Sequence, residues 1–98
     1  MSSYYLAQIR INDPAAYRKY LDRVDAVVAS FGGEYLAVDD EAVILEGTWG
    51  PGRFVLIRFP SDEALQRWYF SPEYQGIVGY RLAAAESRAV VVHEGEAV

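Results

Sequence analysis

The sequence predicts an α+β domain in which an antiparallel sheet carries helices on one face. Three observations predict it. Residues 53–59, RFVLIRF, alternate, with Phe54, Leu56 and Arg58 on one side and Val55, Ile57 and Phe59 on the other. That period of two in β-branched and aromatic residues belongs to a strand buried on at least one face. Between residues 14 and 31, by contrast, Tyr17, Tyr20, Leu21, Val24, Val27, Val28 and Phe31 recur at three and four, the stripe of an amphipathic helix. Along the chain these patterns follow the order strand, helix, two or three strands, helix, strand.

The first strand covers Tyr4 to Ile11, with Tyr5, Ala7, Ile9 and Ile11 on one face and Leu6, Gln8 and Arg10 on the other. Asp13 is placed to cap the first helix and Pro14 to open it, where a missing N–H is harmless. Gly32-Gly33 ends that helix. Glu34 to Val38 is a short strand, Asp39-Asp40-Glu41 an acidic turn and Val43 to Trp49 a further extended piece. Gly50-Pro51-Gly52 supplies a turn before the Arg53 strand. Pro60 stops that strand, Ser61 caps a helix, and Asp62 and Glu63 favour its N-terminal dipole. Ala64, Leu65 and Trp68 form that helix's apolar stripe. After the break at Ser71-Pro72, Tyr74, Ile77, Val78, Arg81 and Leu82 suggest a helix over residues 73–85, weakened by Gly76 and Gly79. Arg88 to His93 is a valine-rich strand, and Glu94 to Val98 a frayed tail.

This order is the ferredoxin-like arrangement, expected as a single α+β domain over residues 1–98. An apolar share of 52% is enough for a packed core. The chain has no cysteine, which excludes disulfides and thiolate metal sites and favours a cytoplasmic setting. No signal peptide is expected from MSSYYLAQIR, and no apolar run reaches the roughly 20 residues of a membrane span. A net charge of −5 with scattered basic residues argues against nucleic acid. Helices over Ile9, Ile57 and Phe59 leave Leu6, Phe54 and Leu56 on a bare face. A second copy packed sheet to sheet is the expected cover, giving a homodimer.

The segments YLAQIRINDPAAYRKY, FGGEYL, LEGTW, RFVLIRFPS and WYFSPEYQ, with the later Arg81, resemble the family known as domain of unknown function 1330. The resemblance spans nearly the whole chain. It implies a dimeric α+β barrel, within a superfamily that also holds small monooxygenases, isomerases and haem-degrading proteins, but it implies no reaction. The family usually carries glutamate before Phe-Pro-Ser, where this chain has Arg58. A site built on a carboxylate at that position is therefore not expected here.

Two groups of residues are candidates for chemistry. By alternation, Gln8, Arg10, Glu46 and Arg58 share the face turned from the helices. There they either bind a small anionic or carbonyl-bearing ligand, with Glu46 as a catalytic base, or satisfy one another as ion pairs. Trp49, Tyr69, Tyr74 and Arg81 are suited to rim a ligand pocket. Tyr17, Tyr20 and Trp68, at helical spacing, are expected in the core. The SPEY segment is either a simple helix break or a lid. His93, the single histidine, is expected in solvent, which leaves haem handling the weakest of three readings. The others are a pocket enzyme, or binder, near Glu46 and a non-catalytic dimeric accessory module. No metal site or cofactor is expected.

Overall fold

The computed structural model describes residues 1–95. Its first strand, β1 (Ser3–Ile11), leads into α1 (Pro14–Ser30), β2 (Glu34–Asp39), β3 (Arg53–Phe59), α2 (Asp62–Tyr69), α3 (Pro72–Ala84) and β4 (Ala85–His93). The sheet is antiparallel throughout and ordered β2-β3-β1-β4, so β3 and β1 are its inner strands. The architecture is α+β, a ferredoxin-like sheet with all three helices on one face.

Local chemistry sets the helix starts. The Asp13 carboxylate accepts from the Ala16 amide at 3.1 Å, the Ser61 hydroxyl from Ala64 at 3.1 Å, and the Ser71 hydroxyl from Tyr74 at 3.0 Å. Each satisfies an N-terminal amide the helix cannot pair itself. Gly32, at φ +81°, turns the chain out of α1 in the left-handed region that glycine tolerates.

The buried face of the sheet presents Tyr5, Ala7, Ile9, Val55, Ile57 and Phe59 to Tyr17, Tyr20, Val24 and Val28 of α1, Leu65 and Trp68 of α2, and Tyr74, Ile77 and Val78 of α3. Tyr17, Tyr20 and Trp68 are core residues, as their spacing predicts. Trp68, fully buried, stacks on Phe59 at 5.1 Å between centroids and meets Tyr5 edge-on at 5.1 Å and Tyr74 at 4.4 Å. On the other face Leu6 opposes Leu56 and Val90, and Tyr4 opposes Arg58 and Val92. No helix of the described chain covers these positions.

Two expectations are corrected. Val43 to Trp49 is not a strand; residues 40–52 form an irregular connection between β2 and β3. Glycines at positive φ (Gly47 and Gly50) interrupt it, and Val43 and Leu45 stand 82% and 91% exposed, without a ladder or a layer to pack on. The alternation of Ile44, Glu46 and Thr48 therefore has no sheet to act on. The last strand also begins earlier than its valines indicate: α3 ends at Ala84, and Ala85, Glu86 and Ser87 pair with Ile11, Arg10 and Ile9. Of the two readings of the SPEY segment, the simple helix break agrees with the structure: Ser71-Pro72 opens α3 directly, and Tyr74 is wholly buried. Of the expected tail, Glu94 and Gly95 have no regular structure and residues 96–98 lie outside the described residues.

Candidate functional site

The sheet divides the sequence candidates into two groups that do not touch. Gln8, Arg10 and Arg58 lie on the outer face, as alternation predicts. Gln8 is the organiser there. Its amide donates to the Trp49 carbonyl at 2.7 Å, while its own oxygen accepts from Arg88 at 2.9 and 3.1 Å. This ties the 40–52 connection to β1, and the Trp49 ring lies edge-on to Phe54 at 5.9 Å. Arg10 joins Gln8, Trp49, Glu86 and Arg88 around a shallow cleft of about 260 Å³. Arg58 pairs with Glu34 across β3 and β2. Glu46 is exposed on the connection, in no ion pair among the described residues, and its backbone carbonyl accepts from the Trp49 indole at 2.9 Å. The expected Glu46–arginine network is thus not formed: Glu34 takes Arg58, Gln8 binds Arg88 rather than Arg10, and Glu46 has no arginine partner among the described residues.

Tyr74 and Arg81 sit on the opposite side, between sheet and helices. Spaced seven apart on α3, they share its inward stripe with Ile77 and Val78. The Arg81 side chain is 3% exposed. One terminal nitrogen donates to the Ser87 hydroxyl on β4, and the guanidinium carbon is 5.8 Å from the Tyr20 ring centre. No carboxylate pairs with it among the described residues. Around it the Tyr20 and Tyr74 hydroxyls bond to each other at 2.8 Å. Among the described residues, three buried polar side-chain atoms have no partner: the Tyr5 hydroxyl, the Trp68 indole nitrogen and Arg81 Nε. Burial pushes the Tyr5 and Tyr20 hydroxyls well above the usual tyrosine range, reinforced by neighbouring Tyr74. Burial opposes the charge on Arg81, but Tyr5, Tyr74 and Tyr20 outweigh it and its pKa is raised. Arg81 is thus a fixed cation beside the protonated Tyr5 and Tyr20 hydroxyls, a group rich in donors.

Tyr5 and Tyr20 also form the wall of a chamber of about 370 Å³ between α1 and the sheet. Its remaining lining is largely apolar: Ile9, Tyr17, Leu21, Val24, Val38, Val55 and Ile57, with Asp25, Tyr35 and Arg53. Arg53 is held by Asp40 at 2.8 Å, which keeps that carboxyl below the usual range. Tyr69, half-buried, borders a separate groove with Tyr5, Leu65 and Phe70. His93 is exposed and contacts Asp62 at 3.1 Å. No group of three or more potential metal ligands occurs among the described residues.

Sequence reasoning named Tyr74 and Arg81 but missed Tyr5, Tyr20, Trp68 and Ser87 as members of one cluster. The available signal was Arg81 itself, a charge at an apolar position of a helical stripe. Alternation places Tyr5 on the covered face, but which hydroxyls meet across three elements is a tertiary fact.

The fold and the donor cluster define a small ferredoxin-like α+β protein with an internal polar site. Residues 2–95 match the family DUF1330, described as a domain of unknown function, and the chain belongs to that family. No curated protein matches its sequence. Among solved structures it is similar to a protein of unknown function from Rhodopseudomonas palustris, at 20% identity and TM-score 0.81, covering 98% of this chain and 84% of that one. A dimeric ferredoxin-like protein of unknown function from Jannaschia gives TM-score 0.75 at 14% identity, covering 96% and 100%. SnoaB, a cofactor-independent oxygenase from Streptomyces nogalater, gives TM-score 0.67 at 14% identity, covering 99% and 96%. These likenesses establish the fold.

Proposed function

We propose that this chain is a small-molecule-binding protein whose ligand presents an anionic or carbonyl oxygen to the Arg81 cluster between sheet and helices. One observation carries this reading: a buried guanidinium with no carboxylate and an unpaired Nε, accompanied by two further donors without acceptors, the Tyr5 hydroxyl and the Trp68 indole, among the described residues. A buried cation left unpaired is costly, and each unsatisfied donor adds about 1–3 kcal/mol. A bound oxygen acceptor offsets both. The chamber beside Tyr5 and Tyr20 has the size and apolar lining of a small-ligand site. Tyr74 and Arg81, both expected to contact a ligand, belong to this site, whereas Gln8, Arg10, Trp49 and Arg58 belong to the outer face. With the Tyr5 and Tyr20 hydroxyls held protonated by burial, the cluster can donate hydrogen bonds to an anionic or developing oxyanionic oxygen but supplies no ready general acid or base. Binding is therefore favoured over catalysis.

The outer face supports pairing with a second copy. Leu6, Phe54, Leu56, Val90 and Val92 form its apolar centre, and similar folds are described as dimeric.

Thermal-shift screening of wild type and Arg81→Met against small carboxylic acids, aromatic ketones and lactones tests the site. Hits should raise the wild-type midpoint and lose most of that gain in the variant, as about 1.5–3 kcal/mol is expected for hydrogen bonds to a charged group. A hit indifferent to Arg81→Met but abolished by Glu46→Gln would move the ligand to the outer face.

A further inference from the structure

We propose that residues 43–46 form an arm that reaches a second copy of this chain, seating Leu45 on the partner's outer face and setting Glu46 against the partner's Arg88. This rests on the reading that two copies pair through their outer faces, and it names the contact that fixes how they meet.

The arm is out of place in a lone chain. Residues 41–46 read EAVILE, an apolar run between two carboxylates. Val43 is 82% exposed, Ile44 51% and Leu45 91%, so hydrocarbon that a second surface could bury stands in water. The arm is also held there. Asp40 pairs with Arg53, the Trp49 indole donates to the Glu46 carbonyl, and the Trp49 carbonyl accepts from Gln8. A segment pinned at these points has already lost freedom that binding would otherwise cost.

The outer face carries the matching surface. The cleft beside Arg10 shares Gln8, Trp49 and Arg88 with an apolar depression of about 470 Å³ that Leu6, Phe54 and Val90 line. Arg88 stands at the junction of the two. Gln8 orients its guanidinium at 2.9 and 3.1 Å, and it is in no ion pair among the described residues. Glu86 faces Arg10 across the ladder, which leaves Arg88 as the cation in need of a carboxylate. Glu46 is in no ion pair among the described residues either. The two surfaces therefore match in order: leucine beside carboxylate on the arm, apolar depression beside guanidinium on the face. A two-fold pair repeats each contact, so both arms are used.

Light scattering over a dilution series tests this on wild type, Leu45→Ser, Glu46→Arg, Arg88→Glu and an equal mixture of the last two. Leu45→Ser and each charge reversal alone should weaken the dimer at least about tenfold. The mixture should recover most of that loss, because in a mixed pair each introduced charge meets its opposite, whereas in either variant alone like charges meet. Leu45 and Glu46 are exposed, so their variants report even where Arg88→Glu disturbs its own bond to Gln8. A dimer split by Leu56→Asp yet indifferent to Leu45→Ser and Glu46→Arg overturns the arm and leaves outer-face pairing standing. A mixture no tighter than its components, with the double variant Glu46→Arg/Arg88→Glu restored, also overturns it, since the arm then lies on its own subunit. A wild type that stays monomeric overturns both.

Discussion

Arg81 shows how one side chain acquires meaning from its surroundings. At the surface it would be one more solvated cation; beneath Tyr20 and beside Ser87 it fixes a positive charge inside the protein. The phenols around it carry a consequence for alkaline stability. Tyr5 and Tyr20 have ordinary values of 10.0, raised in the folded state first of all by burial. Below pH 10 both states hold these protons and the contribution is constant. Above pH 10 the unfolded chain releases protons the folded chain keeps, so stability falls until the folded values are passed, at up to about 1.4 kcal/mol per pH unit for each group. Urea midpoints measured from pH 9 to 11.5 should decline, and Tyr20→Phe should make the decline shallower. A flat profile in wild type would contradict the burial of these hydroxyls. Tyr5→Phe should be neutral to stabilising at pH 7, by up to about 1–3 kcal/mol, because it removes a buried hydroxyl that has no partner to lose.

Among the elements, those with local punctuation were legible in the sequence. Asp13-Pro14, Ser61 with Asp62 and Glu63, and Ser71-Pro72 open three helices through contacts within four residues. Alternation in β1 and β3 assigned their two faces, because one face is buried. It misled at Val43 to Trp49, where the same pattern occurs without a neighbouring strand. Alternation describes a chain that has a sheet to lie in, and pairing is decided by distant residues. For the same reason Glu46 was drawn towards Arg10 and Arg58, whereas Arg81 was legible as a candidate but its phenolic company was not. The turn after α1 offers an element-scale test. A Cβ added at Gly33 would lie 2.5 Å from Val28 Cγ1 and 2.8 Å from the Phe59 ring, so the helix end and β3 meet there without room for a methyl group. Gly33→Ala should lower stability by about 1–3 kcal/mol in urea unfolding. An unchanged midpoint would mean that α1 and β3 are less closely apposed.

For the whole molecule, the proposed pairing of outer faces makes a mass prediction. Leu56 lies mid-strand on that face, opposite Leu6 and Ala37. Leu56→Asp puts a carboxylate there, and light scattering should find a monomer or an unfolded chain rather than a folded dimer. A folded Leu56→Asp dimer would mean that pairing uses another surface.

Residues 40–52 also divide the chain in an unusual way. On one side of that connection lie β1, α1 and β2; on the other lie β3, α2, α3 and β4. The spatial order β2-β3-β1-β4 alternates between the two halves, so every strand pairing joins one half to the other and none lies within a half. A protease that severed the exposed connection would leave two peptides still interlaced through the entire ladder, comigrating under native conditions. Produced separately, neither peptide has a strand neighbour of its own, so order would appear only on mixing. The same chain topology that hides Arg81 thus makes this protein a natural candidate for a split reporter, with reassembly read as recovered sheet.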